Sequence, residues 1–173
     1  MLDVSGWMTI HVDSPYRAAR AAWGLRTYAA SGGPLVEIGS ALSSRVTVGA
    51  FGCLGYGVGG TSRGADIDTL SLWSAGVFAR FFMVDVRAGV GRIRVGVHLD
   101  AGATAAAMQF RDAALSHTQV RWGGAAMIEY GAPAVALHGR IGALVSQWPD
   151  AGGWGMDMSL SGVTLTVGLS VRP

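Results

Sequence analysis

Residues 45–59 read RVTVGAFGCLGYGVG. The even positions carry Val46, Val48, Ala50, Gly52, Leu54, Tyr56 and Val58, and the odd positions carry Arg45, Thr47, Phe51 and Cys53 among glycines. A period of two, with one apolar face and one small or polar face, marks an extended strand between two different environments. The run is also far longer than the usual strand of about five or six residues.

The same alternation recurs outward from this segment. Val120, Trp122, Ala126, Ile128 and Tyr130 oppose Gln119, Arg121, Met127 and Glu129. Val135, Leu137, Ile141, Ala143 and Val145 oppose His138, Arg140, Gly142 and Ser146. Near the end of the chain, Val163, Leu165, Val167, Leu169 and Val171 oppose Thr164, Thr166, Gly168, Ser170 and Arg172. Eight strands are predicted in all, at 4–12, 34–42, 45–59, 69–83, 86–100, 118–131, 134–148 and 156–171. Tight turns are expected at Ser43-Ser44, Val84-Asp85 and Ala132-Pro133, and longer connections alternate with them. In the fifth strand the apolar parity changes between Val90 and Ile93, which predicts a β-bulge at Gly91-Arg92.

Two of the long connections carry helical signals. Ser14-Pro15 is a cap followed by proline, and Gly32-Gly33 a stop, around a stripe of Ala18, Ala21, Ala22, Leu25 and Ala29. Asp100 is placed to cap a second helix over Ala103–Leu115. Ile10-His11-Val12-Asp13 matches Val97-His98-Leu99-Asp100, which suggests a duplication of 1–86 and 87–173 with the unit strand, helical loop, three strands.

Composition bounds the classes. Among 173 residues, half are hydrophobic and 14% charged, so disorder is excluded. No apolar run reaches the roughly 18 residues of a membrane helix, and 27 glycines argue against an all-α fold. All 13 basic residues are Arg, and a net charge of +2 without a basic run gives no reason to expect a nucleic-acid partner. The expected fold is all-β, an eight-stranded antiparallel up-and-down barrel with short helices in two long loops, which leaves no open sheet edge. The alternative is an α+β protein of duplicated β-α-β-β-β units in a curved sheet or barrel.

Strand length, apolar alternation and Trp7, Tyr56, Trp73, Trp122, Tyr130 and Trp148 towards strand ends suit a barrel in lipid, with these rings as interface girdles. The segments Pro34–Gly39 with Ser44–Gly49, and Ser161–Arg172, resemble strands of small eight-stranded bacterial outer-membrane β-barrel proteins. The resemblance implies an outer-membrane location, membrane lipid as partner and no cofactor. The chain departs from that pattern by ending in Arg172-Pro173 rather than an aromatic residue. It starts Met-Leu-Asp-Val-Ser-Gly without the charged and apolar regions of a signal peptide, so the cytoplasm is the alternative compartment.

Candidate chemistry gathers on the small-residue face: Arg94, His98 and Asp100, Arg121 and Glu129, then His138 and Arg140. Such groups inside a narrow barrel must pair, or they bind a ligand. No catalytic signature is present, and Ser116-His117 and Ser146 are the nearest to one for a lipid-modifying enzyme. The pair His11 and His98 lacks further ligands, so no metal is expected. Gly52–Gly60 lacks a following helix and a P-loop Lys, so its glycines read as strand residues. The expected role is non-enzymatic: structural barrel, narrow pore or surface-loop binder. A soluble ligand-binding protein and an outer-membrane lipid-modifying enzyme stand as the alternatives.

Overall fold

The computed structural model describes residues 1–11, 28–59, 69–109, 114–148, 158–159 and 161–172. Alternating residues build β1 (Leu2–His11), β2 (Tyr28–Ala41), β3 (Val46–Gly59), β4 (Thr69–Ala88), β5 (Gly91–Gln109), β6 (Ala114–Gly131), β7 (Val135–Trp148) and β9 (Gly162–Val171), while β8 is the two-residue Met158–Ser159. Each long strand pairs antiparallel with its neighbours in sequence order, and β9 pairs with both β7 and β1. Eight strands therefore close into a barrel. β8 adds only a short pairing at the end of β7.

The stagger of the barrel can be followed residue by residue. His11 pairs with Gly162, which pairs with Leu144, then Gly123, Asp100, Phe78, Gly49 and Gly39. Gly39 exchanges both backbone hydrogen bonds with Met1, at 2.9 and 3.0 Å. One circuit thus returns to β1 ten residues from its start. Strand number and stagger together set a barrel narrow enough for side chains to fill.

Alternation then sorts the side chains inside out. Asp3, Glu37, Arg80, His138 and Arg140 are buried, along with His98, Glu129, Gln119 and a set of Ser and Thr hydroxyls. Leu2, Val4, Ile38, Val77, Leu99, Ile128, Ile141, Val167 and Leu169 are exposed, and each points away from the axis. A small apolar cluster of Leu35, Phe51, Cys53 and Phe78 packs inside, with Met1 and Trp7 against it.

Several expectations are corrected. The second helix, Ala103–Leu115, is absent: residues 101–109 continue β5 and Ala114-Leu115 begin β6. Alanine spaced this densely satisfies a helical stripe and an alternation alike, and pairing with β4 from Thr69 to Ala79 fixes the latter. Most of the first helix lies outside the described residues, but Tyr28–Gly33 is strand, so its expected stop is β2. No helix covers the apolar face among the described residues.

The turn expected at Val84-Asp85 lies further on, at Gly89-Val90, where Gly89 has φ +61°. A two-residue hairpin loop needs such a left-handed residue, and glycine adopts it without strain. The irregularity expected at Gly91-Arg92 belongs to β4, between Phe82 and Val84. Past this bulge the odd positions of β4 turn inward, so Asp85 pairs opposite Arg94.

Candidate functional site

Because interior positions recur at every second residue, polar side chains from seven strands meet on the axis. The densest group crosses the barrel below its middle. Arg80 on β4 donates to Asp3 Oδ2 at 2.8 Å and also to Glu37 Oε2. Arg140 on β7 takes Glu37 in a two-pronged contact, Nη1 to Oε1 at 2.9 Å and Nη2 to Oε2 at 2.8 Å. Arg140 Nη1 also lies 3.1 Å from the His98 ring nitrogens. His98 stacks on Phe78 with centroids 5.5 Å apart, and the Arg80 guanidinium sits 5.2 Å from the same ring.

Two branches leave this bar. On one side Asp3 accepts from Ser5 and Ser170 and faces His138 Nδ1 at 3.3 Å. On the other, Arg121 holds Asp100 at 2.9 Å, its guanidinium 4.9 Å from the Phe51 ring. Buried charges survive only with such partners, because each carries a desolvation cost of several kcal/mol. Nearer the short turns is a second group. There Glu129 is held by Arg94 at 2.9 Å and by Arg172, with Arg94 lying 3.7 Å over Phe82.

Ser5, His138 and Asp3 include the atom pairing of a hydrolytic triad, with Ser5 Oγ 3.2 Å from His138 Nε2. The chemistry does not follow from the pairing. Ser5 Oγ donates to Asp3 itself, the group is buried, and it lies outside the wall of the interior cavity. That cavity, about 40 Å³, is bounded by Trp7, Thr9, Cys53, Asp100, Arg121 and Arg140 among others. It is large enough for a few waters and too small for an organic substrate.

The residues singled out from sequence thus fall into two groups. His98, Asp100, Arg121, His138 and Arg140 belong to the central network, and Arg94 with Glu129 to the lower one. Of the aromatic set, Tyr56, Trp73, Trp122 and Tyr130 are exposed on the outer face. Trp148 closes β7, and its side chain lies outside what the structure describes.

Trp7 is a correction to the girdle assignment. It shares the inward parity of Asp3, Ser5 and Thr9, packs on the interior apolar cluster, and donates its indole N–H to Leu54 O at 3.1 Å. Gly55 makes this possible, since a Cβ there would stand 2.5 Å from the indole. Of the serines considered for catalysis, Ser146 is buried with a hydroxyl that has no partner among the described residues, and Ser116 is exposed. His11, in contact with Ser31 at 3.0 Å, ends β1, whereas His98 sits in the body of β5.

Sequence reasoning missed Asp3, Glu37 and Arg80, the hub of the network. Glu37 stands alone between Val36 and Ile38, and parity would have found it. Arg80 was hidden because β4 is apolar on both faces, with Leu70, Leu72, Phe78 and Phe82 inward and Trp73, Val77 and Phe81 outward.

No protein-family model and no curated protein matches the chain. Among solved structures it is similar to Ail, the attachment invasion locus protein of Yersinia pestis, with a TM-score of 0.57 at 11% identity over 99% of this chain and 96% of that one. A second structure of Ail, in complex with the heparin analogue sucrose octasulfate, gives 0.56 at 12% identity over the same shares. At this identity the likeness is one of fold.

Proposed function

We propose that the protein is a bacterial outer-membrane barrel without enzymatic activity, which holds its long connections at one face of the membrane. The observation that carries this reading is the inverted burial: an apolar outer belt on all eight long strands around an ion-paired interior. In water such a surface favours aggregation. In lipid it is the expected surface of a strand-built membrane protein, whose backbone groups are all paired by closure. Aromatic rings support the placement. Tyr56 and Trp73 sit towards the long-connection ends of β3 and β4, and Tyr130 sits at the short-turn end of β6.

Within the roles open to such a barrel, the bar Asp3–Arg80–Glu37–Arg140–His98 favours an anchor over a pore. It spans the interior from β1 to β7 with side chains that hold one another. The likeness to Ail, an attachment invasion locus protein, accords with a platform for surface contacts.

The decisive variant is Val77→Arg, on the outer face midway along β4. In a bilayer the substitution costs about 2–4 kcal/mol near the midplane. In water an exposed valine replaced by arginine costs almost nothing. Reversible unfolding in lipid vesicles, read by the mobility difference between unheated and boiled samples, measures it. Full solubility as a monomer in detergent-free buffer would refute the membrane reading, and steady conductance across planar bilayers would refute the plug.

A further inference from the structure

The formal charge of the molecule is not spread evenly along the barrel axis. The central network is neutral, with Arg80, Arg121 and Arg140 set against Asp3, Glu37 and Asp100. At the short-turn end stand five arginines, Arg45, Arg87, Arg92, Arg94 and Arg172, against two carboxylates, Asp85 and Glu129. This end alone carries +3, more than the +2 of the whole chain, because Asp slightly outnumbers Arg in the remaining segments.

Two of these arginines have no carboxylate partner among the described residues. Arg45 is exposed in the connection between β2 and β3. Its backbone is fixed there: Arg45 N donates to Ser43 Oγ at 3.2 Å, and Arg45 O accepts from Phe82 N at 2.8 Å. Arg87 is exposed and lies directly opposite Arg92 in the β4–β5 ladder. Like charges in opposed positions destabilise a strand pair. Asp85 relieves Arg92 at 2.9 Å but leaves Arg87 uncompensated.

The edge of this rim is apolar. Leu42 is exposed before Arg45, Val90 is fully exposed at the hairpin tip, and Val84 and Val86 line the outer face of the strand whose other face ends in Arg87. Arginine beside an apolar edge buries its methylenes and carries the guanidinium to the interface. The planar guanidinium binds phosphate oxygens in a two-pronged fashion and is always charged.

We infer that the short-turn rim, with Arg45 and Arg87 as its principal contacts, binds the phosphates of anionic phospholipid headgroups in the leaflet where these turns emerge. An anion between Arg87 and Arg92 removes their repulsion. The inference rests on the membrane reading above.

The test places the full chain in phosphatidylcholine vesicles containing trace spin-labelled phosphatidylcholine or phosphatidylglycerol, and reads their relative association at the protein boundary. Phosphatidylglycerol is expected to be preferred on the order of tenfold at low salt. The preference should fall to about unity in Arg45→Gln/Arg87→Gln, which alters only exposed side chains and should keep its gel shift. Equal association of the two lipids, or an undiminished preference in the double variant, would overturn the inference. So would loss of the preference on adding millimolar inorganic phosphate, which would assign the rim to free phosphate. A chain that enters no vesicle refutes the membrane reading with it, whereas entry without headgroup preference refutes the rim alone.

Discussion

The two halves of the barrel interior both bury polar side chains, but one gathers charged groups and the other neutral ones. Towards the short turns, Asp3, Arg80, Glu37, Arg140, Ser170 and His138 form one connected network. Towards the long connections Ser74 pairs with Thr104 at 2.7 Å. Among the described residues, however, the buried Thr9 and Ser146 hydroxyls and both ends of the Gln119 amide have no hydrogen-bond partner, whereas in the network only the Nε atoms of Arg80 and Arg140 are so left. Arg121, between them, reaches Asp100 and the Cys53 sulphur, the latter at 3.6 Å. The difference teaches where stability resides. A connected network makes each member costly to remove, and an orphaned polar group already bears its cost in the native state.

The largest effect expected from this contrast is at Glu37. Glu37→Leu leaves Arg80 and Arg140 sharing a buried space without their common carboxylate, and should cost about 3–5 kcal/mol in urea unfolding from lipid vesicles. A loss below about 1 kcal/mol would break the comparison. Restoring neutrality tests the cause: Glu37→Leu with Arg140→Met should regain part of the loss, since an apolar pair of similar volume is often tolerated where a lone charge is not.

At the boundary between the halves, Gly55→Ala should cost about 1–3 kcal/mol by pushing the Trp7 indole from its seat. The accompanying change in Trp7 emission, read against Trp7→Phe as blank, separates displacement from global unfolding. The smallest effect is expected at Gln119. Gln119→Leu removes two orphaned polar atoms from the upper interior and should change stability by no more than about 1 kcal/mol, in either direction. A loss as large as that of Glu37→Leu would mean that the two halves are equally dependent on their polar groups.

Much of this architecture is legible in single strands. β3, β6, β7 and β9 carry their faces in plain alternation, and the inward positions of His98, Arg121, Glu129, His138 and Arg140 follow from parity. The connections at Ser43-Ser44 and Ala132-Pro133 lie where serine and proline put them. Legibility fails where one residue type suits two periods. The alanines at 103–107 match a helical stripe, yet Ala101, Ala103, Ala105 and Ala107 face outward around inward Gly102, Thr104 and Ala106. It also fails at β4, whose two apolar faces conceal both Arg80 and the bulge that carries the strand past Val84 to the turn at Gly89.

The sequence by itself determined that most strands are two-faced, and that the charged groups of β5, β6 and β7 share their small-residue face. These are properties of neighbouring residues, set by the strict period of two. The tertiary structure decided what no single strand encodes. Asp3 meets Arg80, Glu37 meets Arg140, and Trp7 turns inward onto Leu35, Phe51 and Phe78. Contacts across the axis depend on the stagger accumulated around the whole barrel, and a one-residue slip in any of its ladders would exchange inside for outside.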